Sequence, residues 1–430
     1  MSTAPAGARP CIVTLTPNPS IDRTLTLGGP LQRGAVHRLA SVTSQAGGKG
    51  VNISRACLLA GVDTIAVLPA APDDPFVHEL TSDGIPSRLV LTHGTVRVNL
   101  TVTEPDGTTT KFNSPGPRAT RPGLLALADT LLDLAERADW IVLAGSLPPG
   151  APVDWYADLV LLLRGRTKVA VDTSDAPLQA LVDRLDSAAP HVLKPNGEEL
   201  ASLTGGDAAA LESDPRAAAA AARLLVDRGV EAVLATLGGH GAVLVTEEGA
   251  WHAVAPLTQV VSTVGAGDSS LFGYLLGERH RAAPAQRLAL AVAYGSAAAG
   301  LPGTTMPRRT QVHPDDVVVR QLPHLICNHS SPARPGSIAV EEHQMPSTTV
   351  VVGSAVGLHA RPAAIIAEAA ADLDADVLIG LPGAQGVDAG SALMIMTLGA
   401  GQGDTVEISG DVEADVAAIA ALVARDVDAD

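Results

Sequence analysis

Short aliphatic runs alternate with longer segments whose apolar residues recur at helical spacing. The runs Cys11–Thr16, Thr64–Leu68, Trp140–Leu143, Lys168–Val171, His191–Leu193 and Ala232–Ala235 predict buried strands. Pro122–Arg137 and Arg216–Arg228 predict amphipathic helices between them. This alternation implies an α/β fold with an open, doubly wound, mainly parallel sheet. One region breaks the rhythm. Val96–Thr103, then Glu-Pro-Asp-Gly-Thr, then Thr108–Asn113 reads as a β-hairpin with a Pro-Asp-Gly turn. Such a flap is a small β lid over the sheet's end, and ligands of these sheets bind at the strands' carboxyl ends.

Composition adds a second domain. The chain has 430 residues, 46% of them hydrophobic, enough for one large core and a smaller one. From Met345 to Asp430 thirteen Asp or Glu face two Arg, which is −11 of the net −17. Just before this break lies HLICNHSSPARPGSIAVEEHQ, without periodicity and rich in Ser, Pro and His. The expected organisation is a large domain at 8–321, a linker at 322–345 and a small α+β domain at 346–430.

Several function classes are excluded. No run approaches the roughly 20 apolar residues that span a bilayer, so no membrane insertion is expected. The opening MSTAPAGARP has no apolar block and predicts no signal peptide. Net acidity and 2% aromatics argue against nucleic-acid binding. Cys11, Cys57 and Cys327 have neither disulfide-framework nor zinc-ligand spacing. A cytoplasmic location fits. Lysine is scarce, yet two of the four, Lys49 and Lys194, fall inside Gly/Pro motifs.

Four loops carry the chemistry. In Gln45-Ala-Gly-Gly-Lys-Gly-Val-Asn52, glycines at a helix start allow close approach of an anion. Lys49 adds positive charge, and Asn52 can donate and accept hydrogen bonds to a sugar hydroxyl. The plainer alternative is a tight strand-to-helix turn. In Ser262-Thr-Val-Gly-Ala-Gly-Asp-Ser269, the amides of Gly265, Ala266 and Gly267 can form an anion hole. Asp268 at that turn can take a proton from an attacking hydroxyl, or merely cap the helix. The turn lacks the GK[ST] of a Walker motif. In Lys194-Pro-Asn-Gly-Glu-Glu199, Asn196 and Glu199 suit a magnesium–phosphate group and equally a capping box. Thr236-Leu-Gly-Gly-His-Gly241 is another Gly-rich turn after a buried strand.

The small domain carries its own signal. The strand Thr348–Val352 precedes Gly357-Leu-His-Ala-Arg-Pro362 and a helix at Ala363–Asp372. His359 then lies at a helix N-terminus beside Arg361, where a phosphorylated imidazole meets free amides and a guanidinium. The helix dipole disfavours protonated imidazole and leaves a nitrogen free to attack phosphorus. Ser391 in Gly390–Gly399 suits a helix cap.

GGKGVN, GSLPPG, KPNGEE, TLGGHG and STVGAGDS occur here in one order. Over residues 10–320 the chain resembles the ribokinase-like, PfkB-type carbohydrate kinases. TPNPSIDRT and VRVN are similar to the 1-phosphofructokinase and tagatose-6-phosphate kinase branch. The resemblance implies Asp268 as catalytic base and Gly265–Gly267 as anion hole. It implies Asp22, Gly48 and Asn52 on sugar hydroxyls, and Lys49, Arg97 and Ser146 on the sugar's phosphate. It implies Lys194, Asn196 and Glu199 on ATP phosphates and Mg2+, with Thr236 and Gly238 beside the nucleotide and no dedicated metal cage. For Arg97 a solvated strand face, and for Asp22 a turn, remain the alternatives.

GLHARPA resembles the phosphohistidine site of the HPr phosphocarriers of the sugar phosphotransferase system, over 346–430. It implies phosphoryl exchange with Enzyme I and a fructose-specific acceptor. Gly390–Gly399 also resembles that family's serine region, which makes a regulatory role the alternative to the cap for Ser391. HPr proteins carry basic residues around this histidine; here there is no Lys and only Arg361 and Arg425, so a compensating basic partner is expected.

The combined expectation is ATP-dependent phosphorylation of fructose 1-phosphate at its C6 hydroxyl, fused to a phosphohistidine carrier. Tagatose-6-phosphate or 6-phosphofructo kinase activity, with a purely regulatory HPr-like module, is the alternative. A homodimer through the exposed lid is also expected.

Overall fold

The computed structural model describes residues 12–92, 94–256, 258–323, 346–373, 377–384 and 386–426. The expected linker falls almost wholly outside these residues, as do Cys11 and Cys327. The chain divides into two compact units between residues 325 and 326.

The first unit is built on a ten-stranded sheet. Seven neighbouring strands are parallel: Ala232–Thr236, Val192–Leu193, Lys168–Asp172, Trp140–Ala144, Ile12–Leu15, Thr64–Pro69 and Ser87–Val90. Ala242–Thr246, Gly249–Val254 and Val318–Gln321 extend one edge antiparallel. The parallel strands are apolar almost throughout because helices cover both faces. The chain winds outward from Ile12–Leu15 to Ser87–Val90, then returns to Trp140–Ala144 on the other side. That reversal opens a crevice at the strands' carboxyl ends.

The helix Ala266–Arg279 is buried from Asp268 to Gly277 and therefore has no polar face. Two glycines let it lie close on Pro284–Ala299. A Cβ on Gly273 would lie 2.9 Å from Ala291 Cα, and one on Gly277 2.9 Å from Arg287 Cα. Phe272 and Tyr294 close this contact edge to face, 5.0 Å between ring centroids. Each such fully buried large side chain contributes about 1.5–3 kcal/mol. The packing fixes the helix whose first turn carries Asp268.

The hairpin pairs Thr103 with Thr109, as the Pro-Asp-Gly turn predicts. It belongs to a larger lid of four strands: Leu39–Gly47, Ser20–Leu27, Arg97–Thr103 and Thr109–Phe112. The first two were not predicted. Leu39–Gly47 is exposed over its first six residues and shows no apolar alternation. Boundaries also move. The helix entered from the Gln45–Asn52 loop already starts at Lys49, and that expected over Ala363–Asp372 spans Ala360–Ala371.

The second unit has an antiparallel sheet in the order Ser347–Val351, Thr405–Gly410, Val377–Gly380, Val387–Asp388. Helices Ala360–Ala371, Ala392–Thr397 and Glu413–Ala424 accompany it. Alternating burial of Thr405–Gly410 marks a sheet with one face packed and one open.

Candidate active site

Asp268 is 6% exposed and sits in the first turn of its helix. Its role as a helix cap is corrected: the N-cap is Gly265, with φ of 81°, and Asp268 makes no capping bond. Its Oδ2 instead accepts from Asn52 Nδ2 at 2.8 Å. Asn52 is held in turn, because its Oδ1 accepts from Arg55 at 2.9 Å. Arg55 is itself tied to Ala46 C=O and to Asp83. The two polar ends of Asn52 are thus engaged in aiming Asp268.

Next to this pair lies a group that sequence reading missed. Asp172 ends the strand Lys168–Asp172 and is completely buried. Its Oδ1 lies 2.6 Å from Lys49 Nζ and its Oδ2 3.3 Å from Lys194 Nζ. Burial alone would raise its pKa, but Lys194 and Lys49 together bring it below the ordinary value. Burial likewise opposes the charge of Lys49, yet Asp172, Asp268 and Glu199 raise its pKa overall. Asp268 is pushed up to about 6, first by burial and then by the negative charge of Asp172. Lys49, the Asn52 hydrogen bond and Lys194 oppose that rise. The result is a carboxylate ionised at neutral pH yet basic enough to accept a proton.

Lys194 also approaches the phosphate-type turn: a Cβ on Gly267 would lie 3.3 Å from its Nζ. Of the three amides expected to form an anion hole, that of Ala266 donates to Thr263 C=O at 3.3 Å. Asn196 and Glu199 form the capping box, each side chain accepting from the other's backbone N–H at 2.8 Å. The Thr236 amide donates to Pro195 C=O at 3.0 Å, joining the Lys194 loop to the Thr236–Gly238 turn.

On the lid side, Asp22 and Asn99 are register partners in parallel strands. Asp22 Oδ1 accepts from Asn99 at 3.1 Å and from Ser20 at 2.8 Å. Any side chain at Gly47 would collide with Asp22, and Gly48 has a φ of 117° that favours glycine. Arg97 is half-buried; it donates to Ser114 C=O at 2.9 Å and reaches Ser146 Oγ at 3.4 Å. Burial lowers its pKa, against the pull of Asp22. The alternatives of a free strand face for Arg97 and a loose turn for Asp22 do not hold. Arg97 and Ser146 are brought together, whereas Lys49 pairs with Asp172. Asn18 also escaped notice. It is 5% exposed and donates to Pro115 C=O at 3.1 Å, in the loop beside Arg97.

In the second unit His359 is the N-cap of Ala360–Ala371, and its imidazole is not used in capping. Arg361 is exposed beside it. Ser391 caps Ala392–Thr397, accepting from the Met394 amide at 3.4 Å.

Residues 16–311 match the model of the pfkB family carbohydrate kinases. Residues 346–425 match that of the PTS HPr component phosphorylation site. The chain is 37% identical over 299 residues to a 1-phosphofructokinase of Haloferax volcanii, covering 69% of this chain and 93% of that one. It is 35% identical over 321 residues to a 1-phosphofructokinase of Rhodobacter capsulatus, covering 73% and 98%. Among solved structures, phosphofructokinase-2 from Escherichia coli with substrates and products has a TM-score of 0.64 at 28% identity, covering 70% and 96%.

Proposed function

The chain belongs to the pfkB family of carbohydrate kinases, and from that premise we propose that it transfers the γ-phosphoryl of ATP to the C6 hydroxyl of fructose 1-phosphate. The observation that carries this reading is the buried Asp268, aimed by Asn52 and flanked by two lysines on one carboxylate. Asp268 takes the hydroxyl proton as the oxygen attacks phosphorus in line. The γ-phosphoryl passes to the sugar oxygen, and ADP leaves with the bonding electrons. Lys194 and Lys49 offset the charge that develops. Arg97 and Ser146 hold the sugar's own phosphate, and Asp22 a hydroxyl. The names of relatives at 30–37% identity support the 1-phosphate over the 6-phosphates.

Magnesium fits this site as an ion carried by the nucleotide. Glu199 spends one oxygen on its cap, leaving the other for a hard cation. Among the described residues no group of three or more His, Cys, Asp or Glu can hold a metal. The ion's chemistry there is to neutralise phosphate oxygens.

Within the second unit, the match over residues 346–425 supports a phosphocarrier. His359 accepts a phosphoryl group from phosphorylated Enzyme I and passes it to a fructose-specific acceptor. The helix amides and Arg361 offset the new charge. Among the described residues no helix is long and apolar enough to cross a membrane. The proposed substrates and partners support a cytoplasmic location for both activities. A second copy on the lid would cover Leu39, Val42 and Phe112, which are exposed.

A panel of sugar phosphates tests the kinase. kcat/KM is expected to be highest for fructose 1-phosphate, against fructose 6-phosphate and tagatose 6-phosphate. A preference for either 6-phosphate rejects the assignment. For the carrier, Enzyme I with labelled phosphoenolpyruvate is expected to leave acid-labile label on wild type and none on His359→Ala. An unlabelled wild type, or equal label on both proteins, rejects it.

A further inference from the structure

Glu212 lies near the end of the short helix Ala208–Ser213, between two loops of the nucleotide side. Its main chain packs on Gly197 in the Lys194–Glu199 loop. A Cβ on Gly197 would lie 3.4 Å from Glu212 Cβ and 3.5 Å from its Cα. Its carboxylate reaches the other way, onto Gly238. Any Cβ on Gly238 would collide with Glu212 Oε1, and Gly238 has a φ of 52°. The two loops are themselves joined through Pro195 and Thr236, and Asn196 bridges Thr236. One residue therefore sits at the junction of both loops, packed on Gly197 and with its carboxylate against Gly238.

The placement gives the two joined loops a polarity. Lys194, at one end of its loop, faces Gly267 and Asp172. Glu212, packed on Gly197 three residues further along that loop, faces the Gly238 turn and is open to solvent. Among the described residues no hydrogen bond or ion pair engages its carboxylate. A nucleoside triphosphate has the matching polarity. Its phosphates suit the lysine end, and its ribose offers two neighbouring hydroxyl donors to a carboxylate with two acceptor oxygens. Acidic side chains perform this ribose recognition in other α/β folds.

We propose that Glu212 selects the donor nucleotide by accepting hydrogen bonds from its ribose hydroxyls. This rests on the reading of the first unit as an ATP-dependent kinase. Hydrogen bonds to a charged acceptor are among the stronger ones, so their loss costs about ten- to a hundredfold in affinity.

The test is steady-state kinetics with ATP, 2′-deoxyATP and 3′-deoxyATP at a saturating level of the preferred sugar phosphate. Wild type is expected to prefer ATP over at least one deoxynucleotide by about tenfold or more. Glu212→Ala raises the KM for ATP and erases that preference, with deoxynucleotide KM and sugar-phosphate KM little changed. The isosteric Glu212→Gln keeps the packing on Gly197 and falls between the two. A Glu212→Ala enzyme that keeps the wild-type preference overturns the proposal. So does one with a lowered KM for ATP, which marks the carboxylate as repelling the phosphates. A wild type that transfers no phosphoryl to any sugar phosphate defeats the kinase reading instead. One that transfers it but treats ATP and both deoxynucleotides alike defeats only the role of Glu212.

Discussion

Asp268→Asn is expected to fold normally and to lose about 10²- to 10⁴-fold in kcat, the usual contribution of a general base. Asparagine has the same shape and can still meet Asn52, so the turn at Gly265 keeps its geometry. What disappears is the only group in that turn able to hold the hydroxyl proton. The ionised carboxylate also costs stability, since its pKa is pushed up to about 6 by burial and by Asp172. The sign follows from linkage. A folded pKa above the unfolded one favours the native state at low pH, and that advantage is lost as pH rises through about 6. At pH 8 the asparagine variant is therefore expected to melt no lower than wild type. Near-normal turnover, measured by coupled ADP release, would remove Asp268 from the chemistry.

Asp172→Ala is expected to be the most damaging single change to stability in the site. It takes from Lys49 and the buried Lys194 the carboxylate that both pair with at a fully buried position. Breaking a buried ion pair from one side costs about 3–5 kcal/mol. Activity falls as well, because both lysines lose the carboxylate that orients them. The pairing holds Asp172 below its ordinary pKa of 3.8. Its contribution is therefore present at neutral pH and is lost as pH drops through and below that value. Denaturant melts at pH 7 measure the effect. A loss under 1 kcal/mol would show that the two lysines do not depend on Asp172.

The two residues differ in how far sequence exposes them. Asp268 follows Gly-Ala-Gly at a helix start, a pattern with a chemical reason behind it. Asp172 closes Lys168-Val-Ala-Val, where a charge after an apolar run reads as a strand boundary. The available signal was its position: a carboxylate at the carboxyl end of a central parallel strand points into the crevice. Asn52 shows a second limit. Its amide suits a sugar hydroxyl, and only the fold brings it within hydrogen-bond reach of a residue 216 positions away. The parallel strands were legible because burial on both faces makes them continuously apolar. Lid strand Leu39–Gly47 was not, because it is exposed and polar and is held by pairing with Ser20–Leu27. Glu212 carries no motif; it is recognised only by its place in the fold, between Gly197 and Gly238.

One proton decides the chemistry, and the pH dependence of kcat/KM for fructose 1-phosphate follows it directly. The rate is expected to fall tenfold per pH unit below an apparent pKa near 6, the range in which Asp268 becomes protonated. A rate that stays level down to pH 4.5, in an enzyme still folded there, would contradict a buried Asp268 acting as the base.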